Sequence, residues 1–308
     1  MSDHRLDSSR RNWLLGFSLD RPILAMLGLY ALVWIIKILD TFVFRLDELI
    51  GEAIVTKALG FLAVVAYLWS ARRGLRDIGF HTRNLGAVLL TAVVGFGLVY
   101  AVAFTAQLVI LRASGEDATL VFSAVDPKTG LSGGLLFALW LVFANLVNSA
   151  MEEGLFRGVM LRHFLIRYPK WGAILLQAAL FSLWHLSWPL RHLIDGQASV
   201  GEVAFEAFGL TLSTLVSGVV YGYFYYRTNN IWGIFVGHVI NNSIFNVLFI
   251  GTASGTQSSL EFMPFILIFL IGHGLMIPVV AVVGDRLGTP TVAPWGDFTE
   301  RDEAAAPA

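Results

Sequence analysis

Eight runs of predominantly apolar residues, near 22–44, 52–71, 86–111, 133–160, 172–190, 204–226, 231–250 and 262–284, set the limits on what this chain can fold into. About 20 such residues in a helix cross the hydrocarbon core of a bilayer. Within lipid a backbone has to satisfy its own N–H and C=O groups, which an isolated strand cannot do, so the runs are read as helices. The expected architecture is all-α, a polytopic membrane helix bundle with about eight transmembrane helices. Composition agrees: of 308 residues, 56% are hydrophobic and 14% charged, where a soluble domain carries about a quarter charged residues.

No linker or repeat interrupts the runs, so one membrane domain is expected over 22–284. A cytosolic tail over 1–21, too polar for a cleaved signal, precedes it. A disordered tail over 285–308, rich in Pro, Ala and acids, follows it. Basic residues orient such helices, because cytosolic loops carry the excess of Lys and Arg. An even number of helices puts both termini on one side. If that side is cytosolic, it holds Arg5, Arg10, Arg11, Arg21, Arg72, Arg73, Arg76, Arg83, Arg162, Arg167, Lys170, Arg227, Arg286 and Arg301. The outer loops then hold only Arg45, Arg112, Lys128 and Arg191. We therefore expect a multi-pass protein of the plasma membrane with both termini in the cytosol. A net charge of −1 gives no reason to expect a nucleic-acid partner. The absence of cysteine excludes disulfides, thiolate metal sites and a cysteine nucleophile.

Ionisable side chains inside the bilayer are costly and mark candidate sites. Lys37 and Asp40 stand three apart on the first helix and can pair, and Lys57 near an outer helix end can snorkel. The fourth helix differs. Asn145, Asn148 and Glu152 share one face, and Glu153 stands four residues before Arg157, the spacing of an ion pair along a helix. That pairing offsets the cost of Glu153 and Arg157 and leaves Glu152 as the candidate general base. The fifth helix carries His185, and the seventh carries His238 and Asn242 on one face, both able to donate to a developing oxyanion. His273 reads as a packing histidine, and His163 and His192 as surface residues. The small-residue pairs at Gly154 and Gly158, Gly218 and Gly222, and Gly233 and Gly237 let helices approach closely.

In order along the chain, Glu152 to Arg157 reads EExxxR, Phe181 to His185 reads FxxxH, and His238 to Asn242 reads HxxxN. The ordered trio, within about 133–250, resembles the CPBP family of membrane proteins, which includes CAAX prenyl endopeptidases and bacteriocin-processing or immunity-type proteins. The resemblance implies an eight-helix fold with a conical cavity open toward the cytosol, and an intramembrane endopeptidase. In it Glu152 activates water beside His185, and His238 and Asn242 hold the oxyanion. Glu153 and Arg157 organise the first motif. It also implies a membrane-associated peptide or protein substrate, prenylated or leader-like.

Zinc is one reading of Glu152, His185 and His238, because a catalytic zinc takes three such ligands and keeps a position open. Water activation by glutamate alone is the other, and we expect no obligatory metal. Two further functions compete: a non-proteolytic immunity or scaffold protein on the same fold, and a transporter, which would show inverted repeats that are not found here. Depth sets a condition. At about 1.5 Å per residue, His185 lies about 20 Å along its helix counted from Gly172, and His238 only about 10 Å along its own. A shared site then calls for a cytosolic extension of the fifth helix around Tyr168 to Trp171.

Overall fold

The computed structural model describes residues 13–50, 53–125, 132–251 and 263–296. Each apolar run contains a helix: α1 (Pro22–Phe44), α2 (Ile54–Ser70), α3 (Leu85–Ala113), α4 (Leu135–Phe164), α5 (Lys170–Ile194), α6 (Val200–Thr228), α7 (Ile231–Val247) and α8 (Met263–Leu287). Among the described residues six helices are long and apolar enough to cross a membrane. The other two, α2 and α7, have 17 residues each, so the count of eight spans is not reached by length and composition. Helix α7 also carries His238, Asn241, Asn242 and Asn246.

The period of α3 illustrates why these helices form a bundle. Val88, Ala92, Phe96, Val99 and Ala103, three or four apart, are buried. Leu90, Val94, Leu98, Val102 and Val109 on the remaining surface are exposed. A long outer face of Leu and Val is a liability in water and a match for acyl chains. The chain is an all-α polytopic membrane bundle.

Helix α4 runs through its middle. It packs on α2 and α7, and its second half also meets α5 and α6. From Glu153 to Leu161 this helix is wound as a π-helix, and every residue of that stretch is buried. Helices in lipid associate through close backbone approach and dispersion rather than the hydrophobic effect. At Gly218 an added Cβ would stand 2.9 Å from the Cβ of Ala178, so α6 meets α5 closely only because this residue is glycine.

The two ends of the bundle are built differently. At one end, called proximal, both described chain ends meet: a Cβ on Gly296 would touch Leu19. This end is closed by tertiary hydrogen bonds. Arg162 donates to Tyr225 Oη at 2.8 Å and Asn229 Oδ1 at 2.7 Å, and its own carbonyl accepts from the Trp295 amide at 2.9 Å. At the opposite, distal end lie two short antiparallel strand pairs, Thr119–Phe122 with Leu248–Gly251 and Ala124–Val125 with Ser132–Gly133. An ion-pair network joins the segment after α1 to the end of α5. Arg191 reaches Asp47 at 2.6 Å, and Arg45 pairs with Asp195.

Two expectations change here. Residues 285–296 continue α8 to Leu287 and then fold back, burying Val292 and Trp295, so they are not the start of a disordered tail. Residues 1–12 and 297–308 of the expected tails lie outside the described residues. His163 is not a surface residue but fully buried, stacked on Trp295 at 4.4 Å and bonded to Tyr67 Oη at 2.7 Å. The run of α4 to Phe164 and the returning chain around Trp295 together cover it.

Candidate active site

The seven motif residues converge. On α4 the handover from α to π winding falls between Glu152 and Glu153. A π turn is typically found where function holds a helix out of its best packing. Arg157 Nη1 donates to Glu153 Oε1 at 3.0 Å, and both side chains are fully buried. The same Oε1 accepts from His238 Nδ1 at 2.7 Å. The other ring nitrogen of His238, Nε2, stands 3.4 Å from Glu152 Oε2. One imidazole therefore faces two adjacent carboxylates from two helices. The guanidinium of Arg157 also lies 4.1 Å from the centre of the Phe181 ring, so the FxxxH motif packs on the EExxxR motif.

Glu152 is held by a residue that the motif reading did not single out. Trp184 Nε1 donates to Glu152 Oε1 at 2.9 Å. Trp184 in turn is fixed by Lys37, whose Nζ donates to the Trp184 carbonyl at 2.6 Å and lies 3.9 Å from the ring centre. Lys37 and Lys57 are both buried and line the cavity. Lys57 thus does not snorkel, and Asp40 accepts from the amide and hydroxyl of Thr56, at 2.8 and 2.6 Å. Only the position of Trp184 beside His185 hinted at its role.

His185 donates from Nδ1 to the Phe181 carbonyl at 2.8 Å, one turn back on α5, and so presents Nε2 as an acceptor. The helix that carries it begins at Lys170, two residues before the expected start, with Pro169 as its N-cap. Asn242 accepts at Oδ1 from Asn241 Nδ2 at 3.0 Å, while Asn241 Oδ1 accepts from Tyr100 Oη. With its oxygen engaged, the group Asn242 has left to offer is its NH2. Neither Asn241 nor Tyr100 carried a sequence signal, since Tyr100 belongs to α3, which holds no motif. Asn145 ties α4 to α7 through Asn246 Oδ1 at 2.8 Å. His273 is a packing histidine among Phe96, Phe269 and Tyr221. His192 is half-buried and meets Glu206 at 3.0 Å.

Two connected cavities open on these groups. The first, about 280 Å³, holds Glu152, His185 and Asn242 with Lys37 and Lys57. The second, about 450 Å³, holds His185, His238 and Asn242 against apolar walls that include Phe205, Phe265 and Phe269. Both run toward the distal end. The first is bounded by Ala53, the residue before α2, and by His192, Glu206 and Asn246. Side-chain exposure rises from 4% at Glu152 to 24% at His192 and 37% at Glu206. The expectations of cytosolic termini and of a cavity open toward the cytosol are therefore incompatible, because both described chain ends lie at the closed, proximal end.

His238 directs one nitrogen at Glu153 and the other at Glu152. Among the described residues no group of three His, Cys, Asp or Glu side chains is arranged to hold a metal ion. No step below runs through a metal.

No curated protein and no solved structure matches the chain. Residues 134–244, which include Glu152, Glu153, Arg157, His185, His238 and Asn242, match the family model described as "Type II CAAX prenyl endopeptidase Rce1-like".

Proposed function

We propose that the chain is an intramembrane endopeptidase in which Glu152 activates the attacking water. The observation that carries this reading is the buried contact of Glu152 with His238 beside the half-buried His185, which lines both cavities, with Trp184 holding one oxygen of Glu152 and leaving Oε2 without a hydrogen bond. Glu152 takes a proton from water, while the Nε2 lone pair of His185 accepts the second hydrogen of that water and orients it. Hydroxide adds to the scissile carbonyl carbon. The oxygen that gains charge is met by the NH2 of Asn242 and by His238, protonated at Nε2. Collapse of the tetrahedral intermediate breaks the C–N bond, and the proton held by Glu152 passes to the leaving amine.

The charges support these roles. Glu153 and Arg157 neutralise each other, as a buried pair must, and the imidazole of His238 stands between Glu153 and Glu152. The substrate we infer is a membrane-associated peptide or protein end whose apolar part lies in the second cavity. The positive-inside rule places the proximal end, with both termini, in the cytosol. Glu152→Gln keeps the side-chain shape and removes the base. Cells carrying that variant should accumulate uncleaved substrate relative to wild type, with equal amounts of folded protein. Indistinguishable proteomes would favour a non-proteolytic scaffold.

A further inference from the structure

We infer that the hydrolytic cavity opens on the non-cytosolic face of the membrane, so that its substrates are peptides presented from that side. The inference rests on the peptidase reading for the word substrate, and on geometry and charge for the direction. The cavity rises from Glu152 past Asn148 and Asn145 to His192, Glu206 and Asn246, in the distal halves of their helices, and to Ala53 at the distal start of α2. Below Glu152 the way is shut. The stretch Glu153–Leu161 is wholly buried, and beneath it Arg162, Tyr225, Asn229 and the returning Trp295 are bonded to one another or stacked. Among the described residues the walls of the first cavity thus lead from Glu152 toward the distal end and not toward the proximal one.

Charge assigns the ends to their sides. Among the described residues the proximal end carries Arg21, Arg72, Arg73, Arg76, Arg83, Arg162, Arg167, Lys170, Arg227 and Arg286, against Asp20, Asp77 and Asp285. The distal end carries Arg45, Arg112 and Arg191 against Asp47, Glu48, Glu116, Asp117, Asp195, Glu202 and Glu206. Two of its three arginines are held by those acids. Short loops rich in Lys and Arg are retained in the cytosol during insertion, so the distal end, and the cavity mouth with it, faces away from the cytosol. The resulting substrate class is a membrane-associated segment already translocated, or lying in the outer leaflet. A prenylated carboxyl terminus made in the cytosol would meet the closed end.

The chain has no cysteine, so single cysteines report without background. Gln197→Cys marks the distal loop after α5, His192→Cys marks the cavity mouth, and Arg76→Cys marks the proximal end. The full chain is expressed in cells and treated with a membrane-impermeant maleimide, before and after permeabilisation, with labelling of the denatured protein as the total. Gln197→Cys and His192→Cys should label in intact cells to the level reached after permeabilisation, and Arg76→Cys only after it. The reverse pattern, or equal labelling of both ends in intact cells, overturns the inference. Labelling at Gln197→Cys without labelling at His192→Cys would also overturn it, by closing the mouth. None of these results depends on turnover. A failure of Glu152→Gln to alter cleavage would sink the peptidase reading alone.

Discussion

Arg157→Met tests whether the fully buried pair on α4 organises the site. Both side chains of the pair are fully buried, and the contact is 3.0 Å. Methionine keeps most of the volume and removes the charge. Glu153 would then retain one partner, His238 Nδ1 at 2.7 Å, while its own charge stayed out of water. Removing one partner of a buried pair costs about 3–5 kcal/mol. The guanidinium contact with Phe181 at 4.1 Å adds about 1 kcal/mol as a desolvated cation–π interaction. A total of about 4–6 kcal/mol would unfold much of the population of a marginally stable protein. Adding Glu153→Gln removes the stranded charge and leaves a carbonyl oxygen for His238 Nδ1. The double variant should therefore recover about half of the loss, a coupling of about 2 kcal/mol or more. Equilibrium unfolding in mixed detergent and SDS micelles, followed by tryptophan fluorescence, measures both. A single-variant loss below about 1 kcal/mol, or a double variant less stable than the single, refutes the reasoning.

Other expectations follow from single contacts. Asn242→Ala should lower kcat by about 10²–10³, the loss seen on deleting an oxyanion donor, with KM nearly unchanged in peptide cleavage assays. Tyr100→Phe frees Asn241 to rotate and should cost about fivefold in kcat, the equivalent of one hydrogen bond of about 1 kcal/mol; unchanged turnover would remove Tyr100 from the positioning chain. Exhaustive chelation should leave cleavage intact, and restoration by added zinc after a loss would reinstate a metal. At the distal end burial opposes the ionised form of Asp195, but Arg45 and Arg191 prevail and hold its carboxyl below the usual carboxylate range. Its contribution to stability is then present above the unfolded value near 3.9 and lost as pH falls through the lower folded value. Thermal unfolding of Asp195→Asn should accordingly lose sensitivity to acid in that window relative to wild type.

The helices and the trio of motifs were legible because each rests on a local rule: apolar run length, and residues three or four apart on one face. Glu153 with Arg157 is such a case, predicted at i, i+4 and found at 3.0 Å. What was hidden depends on contacts between distant segments. His163 looked terminal because nothing local announces that Trp295, more than a hundred residues on, returns to cover it. The π winding after Glu152 leaves no composition signature. Lys37 resembled an ordinary helix-end charge, and its use, a hydrogen bond to the Trp184 carbonyl, spans 147 positions. The depth count placed His185 too far along its helix to meet Glu152, yet Trp184, its neighbour, bonds to Glu152 at 2.9 Å. Such a count assumes that parallel axes begin at one level, and the early start of α5 at Lys170 and the change of winding in α4 remove that assumption.

Adjacent glutamates with different tasks raise a question that the winding of α4 answers. In a regular α-helix neighbouring side chains diverge by about 100°, so two consecutive acids would ordinarily face separate surroundings. Here both reach the same imidazole, Glu153 at Nδ1 and Glu152 at Nε2. Their other contacts separate them. Glu153 shares one oxygen between Arg157 and His238, so its charge is met by two donors. Glu152 has a neutral indole on one oxygen and the cavity beside the other. Of the two, Glu152 is the one that lines a cavity and can meet a bound water there. The inner acid fixes the imidazole, the imidazole aims at the outer acid, and the reactive group is the one that the ion pair leaves over.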